Sequence, residues 1–189
     1  MYKRQTQYGG QSVDISHLGK YVRKSYEKFK EEFGGMPSKE ILDKKIKEEV
    51  TSGVQTLQYQ INTLMTTNGR SPLVSLFMYL REDDEYIKEN ALIIEEILKQ
   101  RIEGMKDAEG KYINPEFPKL IYVIDENNCL NGEKHDYLTH LALECANKTQ
   151  EPSFISAKKM RENYSGNVFS PMGFRSFLTP WKDENGTYK

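Results

Sequence analysis

Two short, nearly unbroken apolar runs constrain this chain most: Leu73-Val74-Ser75-Leu76-Phe77-Met78-Tyr79-Leu80 and Leu120-Ile121-Tyr122-Val123-Ile124. A strand with one solvated face alternates apolar and polar residues. A strand apolar at almost every position needs cover on both sides, the condition of parallel sheets packed under helices. Turn chemistry brackets both runs, with Asn68-Gly69 and Ser71-Pro72 before the first, and Pro118 before and Asp125-Glu126-Asn127-Asn128 after the second.

Helical periods fill the spaces around the runs. From Ser16 to Phe33 the residues Leu18, Val22, Tyr26, Phe29 and Phe33 recur at three or four, one stripe of an amphipathic helix that Gly34-Gly35 ends. Pro37 bars continuation. Ser38 then caps a second helix, predicted to reach about Met65 through Leu42, Ile46, Val50, Leu57, Ile61 and Leu64. A third starts at the acidic Glu82-Asp83-Asp84-Glu85 and is carried by Ile87, Ile94, Ile97, Leu98 and Ile102. A fourth runs from Asp136 to Ala146 through Tyr137, Leu141 and Leu143 or Cys145, until Thr149-Gln150-Glu151-Pro152-Ser153 breaks it. Helices alternating with buried strands predict an α/β fold with parallel pairing.

Size and charge exclude several classes of function. The chain has 189 residues, enough for one domain that buries about two-thirds of its unfolded surface. Its 27 basic residues nearly cancel 28 acidic ones, so no net field steers it toward nucleic acid or an anionic membrane. No apolar stretch approaches the roughly 20 residues of a membrane-spanning helix. Two cysteines, Cys129 and Cys145, without a secretory leader fit a reducing cytoplasm.

Spacing alone offers little chemistry. His135, His140 and Cys145 are separated by fives, and successive five-residue steps on a helix rotate by about 140°, so they do not share a face as metal ligands would. Gly9-Gly10 and Gly34-Gly35 lack the lysine and hydroxyl of a phosphate-binding loop. No Gly-x-Ser-x-Gly elbow is present. From Asn163 onward Gly166, Pro171, Gly173, Pro180 and Gly186 stand among aromatic residues without a period, the pattern of a structured loop.

Three segments carry a resemblance: Tyr8-Gly9-Gly10-Gln11-Ser12, Asn62 through Pro72 (Asn-Thr-Leu-Met-Thr-Thr-Asn-Gly-Arg-Ser-Pro), and Ser170-Pro171-Met172-Gly173-Phe174-Arg175-Ser176-Phe177-Leu178. Together with Glu85 through Ala91 and Phe117 through Tyr122, in the same order, they resemble the catalytic subunits of anaerobic (class III) ribonucleoside-triphosphate reductases. A formate-lyase relative, sharing the glycyl-radical barrel, fits these motifs less well. The resemblance implies part of a ten-stranded α/β barrel of the glycyl-radical enzyme type, with a central finger loop near the C-terminus of this chain. On that reading residues 6–189 are a partial catalytic barrel domain without the ATP cone and the glycyl-radical domain. Residues 1–5, with no apolar period and no turn signal, read as a non-native leader or, equally, as an ordinary chain terminus. The end at Asn185-Gly186, a hairpin turn with no second strand, reads as a truncation.

The implied reaction reduces ribonucleoside triphosphates to deoxyribonucleoside triphosphates: a cysteine thiyl radical removes the ribose 3′ hydrogen so that the 2′ hydroxyl can leave. The tip of the family's loop reads Ser-Pro-Met-Gly-Cys-Arg-Ser-Phe-Leu, and here Phe174 stands in the place of that cysteine. An aromatic side chain has no S–H bond to exchange, so this chain is expected to be inactive. Ser170, Pro171, Met172, Gly173, Arg175 and Ser176 would shape the loop; Pro171, Met172 and Gly173 would also build a tight turn without any catalysis. Asn68, Gly69 and Ser71 are implied to line the substrate or, equally, to end a helix. The resemblance further implies a homodimeric parent, a radical S-adenosylmethionine activase as partner, formate or a thiol system as reductant, and a glycyl radical, zinc in a C-terminal domain and ATP or deoxynucleotide effectors. No cofactor is expected within this chain. The competing reading is a non-catalytic remnant that binds nucleotides or regulates the dimer.

Overall fold

The structure, a computed structural model, describes residues 11–34, 38–63, 73–106, 109–129 and 131–171. Its centre is a parallel sheet of four strands, β1 (Gln11–Asp14), β2 (Val74–Met78), β5 (Lys119–Ile124) and β6 (Ser153–Ser156), in the order β1-β2-β5-β6. A short antiparallel pair, β3 (Met105–Lys106) and β4 (Tyr112–Ile113), lies between β2 and β5 in the chain. Both apolar runs are strands, and both are parallel, as their composition requires.

The sheet winds one way. Each strand is laid on the same side of its predecessor, and right-handed crossovers repeated in one direction put every connecting helix on one face. Those helices are α1 (Gly19–Glu32), α2 (Lys39–Thr63), α3 (Ile87–Glu103) and α5 (Asp136–Thr149), with a 3-10 turn at Ile15–Leu18 before α1 and a one-turn α4 (Glu126–Cys129) before α5. The main core packs Ile46, Val50 and Val54 of α2, Ile94, Ile97 and Leu98 of α3, and Leu138, Ala142 and Cys145 of α5 against Leu76, Met78, Leu120 and Tyr122. Phe77, Tyr79, Ile121 and Val123, the alternate residues of the same strands, form a second cluster on the opposite face. There the described cover is Ala157 of α6 (Ala157–Asn163) and Val168.

Several boundaries differ from the sequence expectation. Phe33, predicted on the stripe of the first helix, is its C-terminal cap and is exposed, since Gly34 at φ +70 turns the chain away one residue later. The acidic run at 82–85 precedes α3 and does not open it. Asp84 accepts from the Tyr86 amide at 2.8 Å and from Asn90 Nδ2 at 2.9 Å, so the carboxylate fastens the entry to the helix. In α5 the buried stripe is Leu138, Ala142 and Cys145, while the predicted Tyr137 and Leu143 are exposed. Asp125 through Asn128 is more than a turn. Asp125 and Asn128 close the first turn of α4, with the Asp125 amide donating to Asn128 Oδ1 at 2.9 Å.

One glycine is required by a close approach. A Cβ on Gly19 would lie 2.6 Å from Asn90 Oδ1 and 2.7 Å from Tyr86 Cβ, so the start of α1 meets the start of α3 only because position 19 has no side chain.

Candidate active site

Strand register sorts the residues of the second face into rows. Ser12 pairs with Ser75, and Ser75 with Lys119; Asp14 pairs with Phe77, Phe77 with Ile121, and Ile121 with Ser153. Side chains alternate along a strand, so both rows share a face with Tyr79, Val123 and Ile155. This face therefore has a hydroxyl-rich row near the amino ends of the strands, an apolar middle, and a charged rim beyond their carboxyl ends, where parallel sheets place their ligands.

The rim is a connected network. Arg161 of α6 grips Asp125 with two nitrogens, at 2.8 Å to Oδ2 and 2.6 Å to Oδ1. Tyr79 donates its hydroxyl to Asp125 Oδ2 at 3.1 Å and accepts from the same guanidinium at 3.2 Å. Arg161 holds the Asp125 carboxyl below the usual aspartate range, and burial, aided by Asp125, pushes the Tyr79 phenol up, so it stays protonated and able to donate. Arg81 stacks over the Tyr79 ring at 5.5 Å and pairs with Asp14 at 3.3 Å, which ties the ends of β1 and β2.

From α6 the chain returns across this face. Gly166, at φ +83, donates its amide to the Arg161 carbonyl at 2.8 Å and reverses direction. Tyr164 and Phe169 meet edge to face at 4.9 Å, and Val168 packs into the apolar middle. Ser170 Oγ then contacts Ser12 Oγ on β1 and lies 3.2 Å from the Pro171 carbonyl; Pro171 is buried. Two of the resemblance segments, 158 residues apart, thus meet at one pair of hydroxyls.

Of the loop residues named from sequence, Ser170 and Pro171 are placed on this face. Met172, Gly173, Phe174, Arg175 and Ser176 lie outside the described residues, as do Asn68, Gly69 and Ser71. Sequence reasoning read Asp125 as a turn residue and assigned nothing to Arg161, Tyr79 or the Ser12 hydroxyl. The one available signal was the Tyr8-to-Ser12 motif, which carried a likeness and no role.

His135, His140 and Cys145 are not brought together: His135 is buried ahead of α5, His140 is exposed, and Cys145 faces the core. Burial pushes the Cys145 thiol above its usual value. Among the described residues no three His, Cys, Asp or Glu side chains could hold a metal ion, and no helix is long and apolar enough to cross a membrane.

The sequence model of a family described as anaerobic ribonucleoside-triphosphate reductase matches residues 2–189. The chain belongs to that family. It is similar to the anaerobic ribonucleoside-triphosphate reductase of Enterobacteria phage T4, at 36% identity over 188 residues, 95% of this chain and 30% of that protein. The proteins of the same name from Escherichia coli K12 and Haemophilus influenzae are 32% and 33% identical over 185 and 184 residues, in each case 25% of the longer protein. The chain spans about a quarter to a third of the length of these reductases, whose name is that of an oxidoreductase.

Proposed function

We propose that this chain is a section of the catalytic barrel of an anaerobic ribonucleoside-triphosphate reductase, and that its second sheet face belongs to the barrel interior. The observation that supports the reading is the meeting of Ser12 and Ser170, which brings the first residue of the third motif onto the face that the crossover helices leave free. A one-way parallel sheet is also the element from which a closed α/β barrel is built, because closure is what covers the inner face. The ten-stranded barrel and its finger loop follow from the family reading.

On the family reading, a cysteine thiyl radical at the loop tip, where this chain has Phe174, removes the ribose 3′ hydrogen of a ribonucleoside triphosphate, the 2′ hydroxyl leaves as water, and formate or a thiol system supplies the two electrons. A glycyl radical elsewhere in the parent supplies the radical character, itself installed by a radical S-adenosylmethionine activase. What this chain contributes is position and exclusion. Ser12 and Ser170 fix the loop root, the apolar row keeps water from the sheet, and the Asp125–Arg161–Tyr79 network holds α6. Zinc belongs, on this reading, to the parent's C-terminal domain. With Phe174 the hydrogen transfer has no sulfur to carry it, and the chain as it stands is inactive. Met172, Gly173, Arg175 and Ser176 shape the loop on this reading, Asn68, Gly69 and Ser71 line the substrate, and the setting is the cytoplasm.

The parent is read as a homodimer on the family likeness; an apolar cavity of about 350 Å³ lies between α1 and α2, lined by Leu18, Tyr21, Val22, Val54 and Leu57 on the helix side of the sheet. The second reading is a non-catalytic remnant that binds nucleotides or regulates the dimer. Turnover separates the two. In the complete polypeptide carrying this chain, activated anaerobically, Phe174 gives no deoxynucleotide and Phe174→Cys restores it; a glycyl radical signal without product from Phe174→Cys would support the remnant.

A further inference from the structure

We propose that His135 is a pH-sensitive latch on the start of α5: as the neutral imidazole it keeps that end of the helix closed, and as the cation it lets it open.

The ring sits where a second proton finds no acceptor. His135 is 6% exposed and stands immediately before α5, with its carbonyl accepting from the Leu138 amide at 3.1 Å. Its Nδ1 is buried and has no hydrogen-bond partner among the described residues. A neutral ring tolerates this, because one nitrogen carries the hydrogen and the other only a lone pair. In the imidazolium both nitrogens donate, so the closed form then holds a charge and an unanswered donor away from water.

The charged and titratable groups around this turn do not relieve it. Asp136 accepts from the Gly132 amide at 3.0 Å, and Glu133 and, on α4, Glu126 and Cys129 are exposed. From α3, Glu95 is engaged with the Tyr137 hydroxyl. None of these carboxylates reaches Nδ1. Tyr122 of β5 and Tyr137 are pushed up to about 12, mainly by burial, and stay neutral. Burial first, and then the positive charge of Lys134 beside it in the chain, hold the ring below its ordinary value of 6.5.

Opening at this point reaches the rim of the sheet. Thr139, one turn further along α5, donates to the Asn128 carbonyl at 2.5 Å and lies 3.0 Å from Tyr122 Oη. The Asn128 side chain accepts from the Asp125 amide at 2.9 Å and donates to the Val123 carbonyl at 3.0 Å. The start of α5, α4 and the Asp125 end of the charged rim are therefore one hydrogen-bonded unit. An opened ring binds its proton more readily than the closed one, so closure is fully favoured above about pH 6.5 and is lost as pH falls toward the lower closed-state value.

Two measurements on the 189-residue chain test this without turnover, so a failure of the reductase reading would not mimic a failure here. In a proton NMR titration, with His17→Gln and His140→Gln variants to assign the ring signals, His135 is expected to titrate below 6.5. Amide exchange followed by mass spectrometry, corrected for its intrinsic pH dependence, is expected to speed up several-fold in peptides covering 131–142 between pH 7.5 and pH 5.5. The ceiling is about tenfold, set by the ordinary histidine value, and β2 is expected to stay unchanged. His135→Phe, which keeps a ring and cannot titrate, is expected to remove the rise, and His140→Gln, at an exposed position, to keep it. A His135 ring that titrates at or above 6.5, or a rise that survives in His135→Phe, would overturn the proposal; if the Phe variant does not fold, the titration of the native ring decides.

Discussion

At the scale of single residues, the Asp125–Arg161 pair does most to shape the rim. It is bidentate, its carboxylate is largely buried, and the Tyr79 hydroxyl adds a third contact, so it exceeds the worth of an exposed surface pair. Because Arg161 is about a third exposed, the coupling between the two is expected at about 1–2 kcal/mol, read from denaturation midpoints in a double-mutant cycle of Asp125→Asn and Arg161→Met. The pH dependence has a definite sign. A carboxyl held below its ordinary value of about 3.9 binds its proton more readily in the unfolded chain, so its contribution is complete above that pH and is lost as pH falls toward the lower folded value. Asp125→Asn should flatten that acid limb in a melting series between about pH 5 and pH 2; an unchanged limb would assign it to other carboxylates. None of this was legible beforehand, since the partners lie 36 residues apart in sequence and neither belongs to a motif.

At the scale of elements, the strands that showed themselves in sequence are the central ones, β2 and β5, because burial on both faces demands apolar residues at most positions. The edge strands did not. Gln11-Ser12-Val13-Asp14 and Ser153-Phe154-Ile155-Ser156 mix polar or hydroxyl residues with apolar ones, and four residues are too few to set a period. Helices were found through their stripes and misjudged at their ends, where single side chains such as Asp84 decide the boundary. Gly19 shows how tightly the elements then fit. Gly19→Ala is expected to lower stability by about 1–3 kcal/mol through the clash with Asn90 and Tyr86, even though alanine is the better helix former, and a rise in melting temperature would show that α1 and α3 shift apart readily.

At the scale of the whole molecule, direction of winding matters more than the number of strands. Four parallel strands added one way gather the connecting helices on one face and leave the other to α6, Val168 and the loop root. The α/β class and the parallel pairing were legible from two apolar runs, whereas the convergence of the motif segments was not, because it depends on a strand order that no local pattern encodes. The candidate site was legible as a motif; its floor became visible only with the register of β1 against β2 and β5.

The account stands on Ser12 and Ser170 meeting across that floor. Side chains whose γ atoms touch bring their Cβ atoms into the range a disulfide spans, so the double variant Ser12→Cys, Ser170→Cys, with Cys129 and Cys145 replaced by serine and alanine, reads the contact directly. Mild oxidation is predicted to join residues 12 and 170 within one chain, seen as a linked peptide pair by mass spectrometry. Free thiols at both positions under conditions that oxidise a neighbouring pair elsewhere in the fold would contradict it.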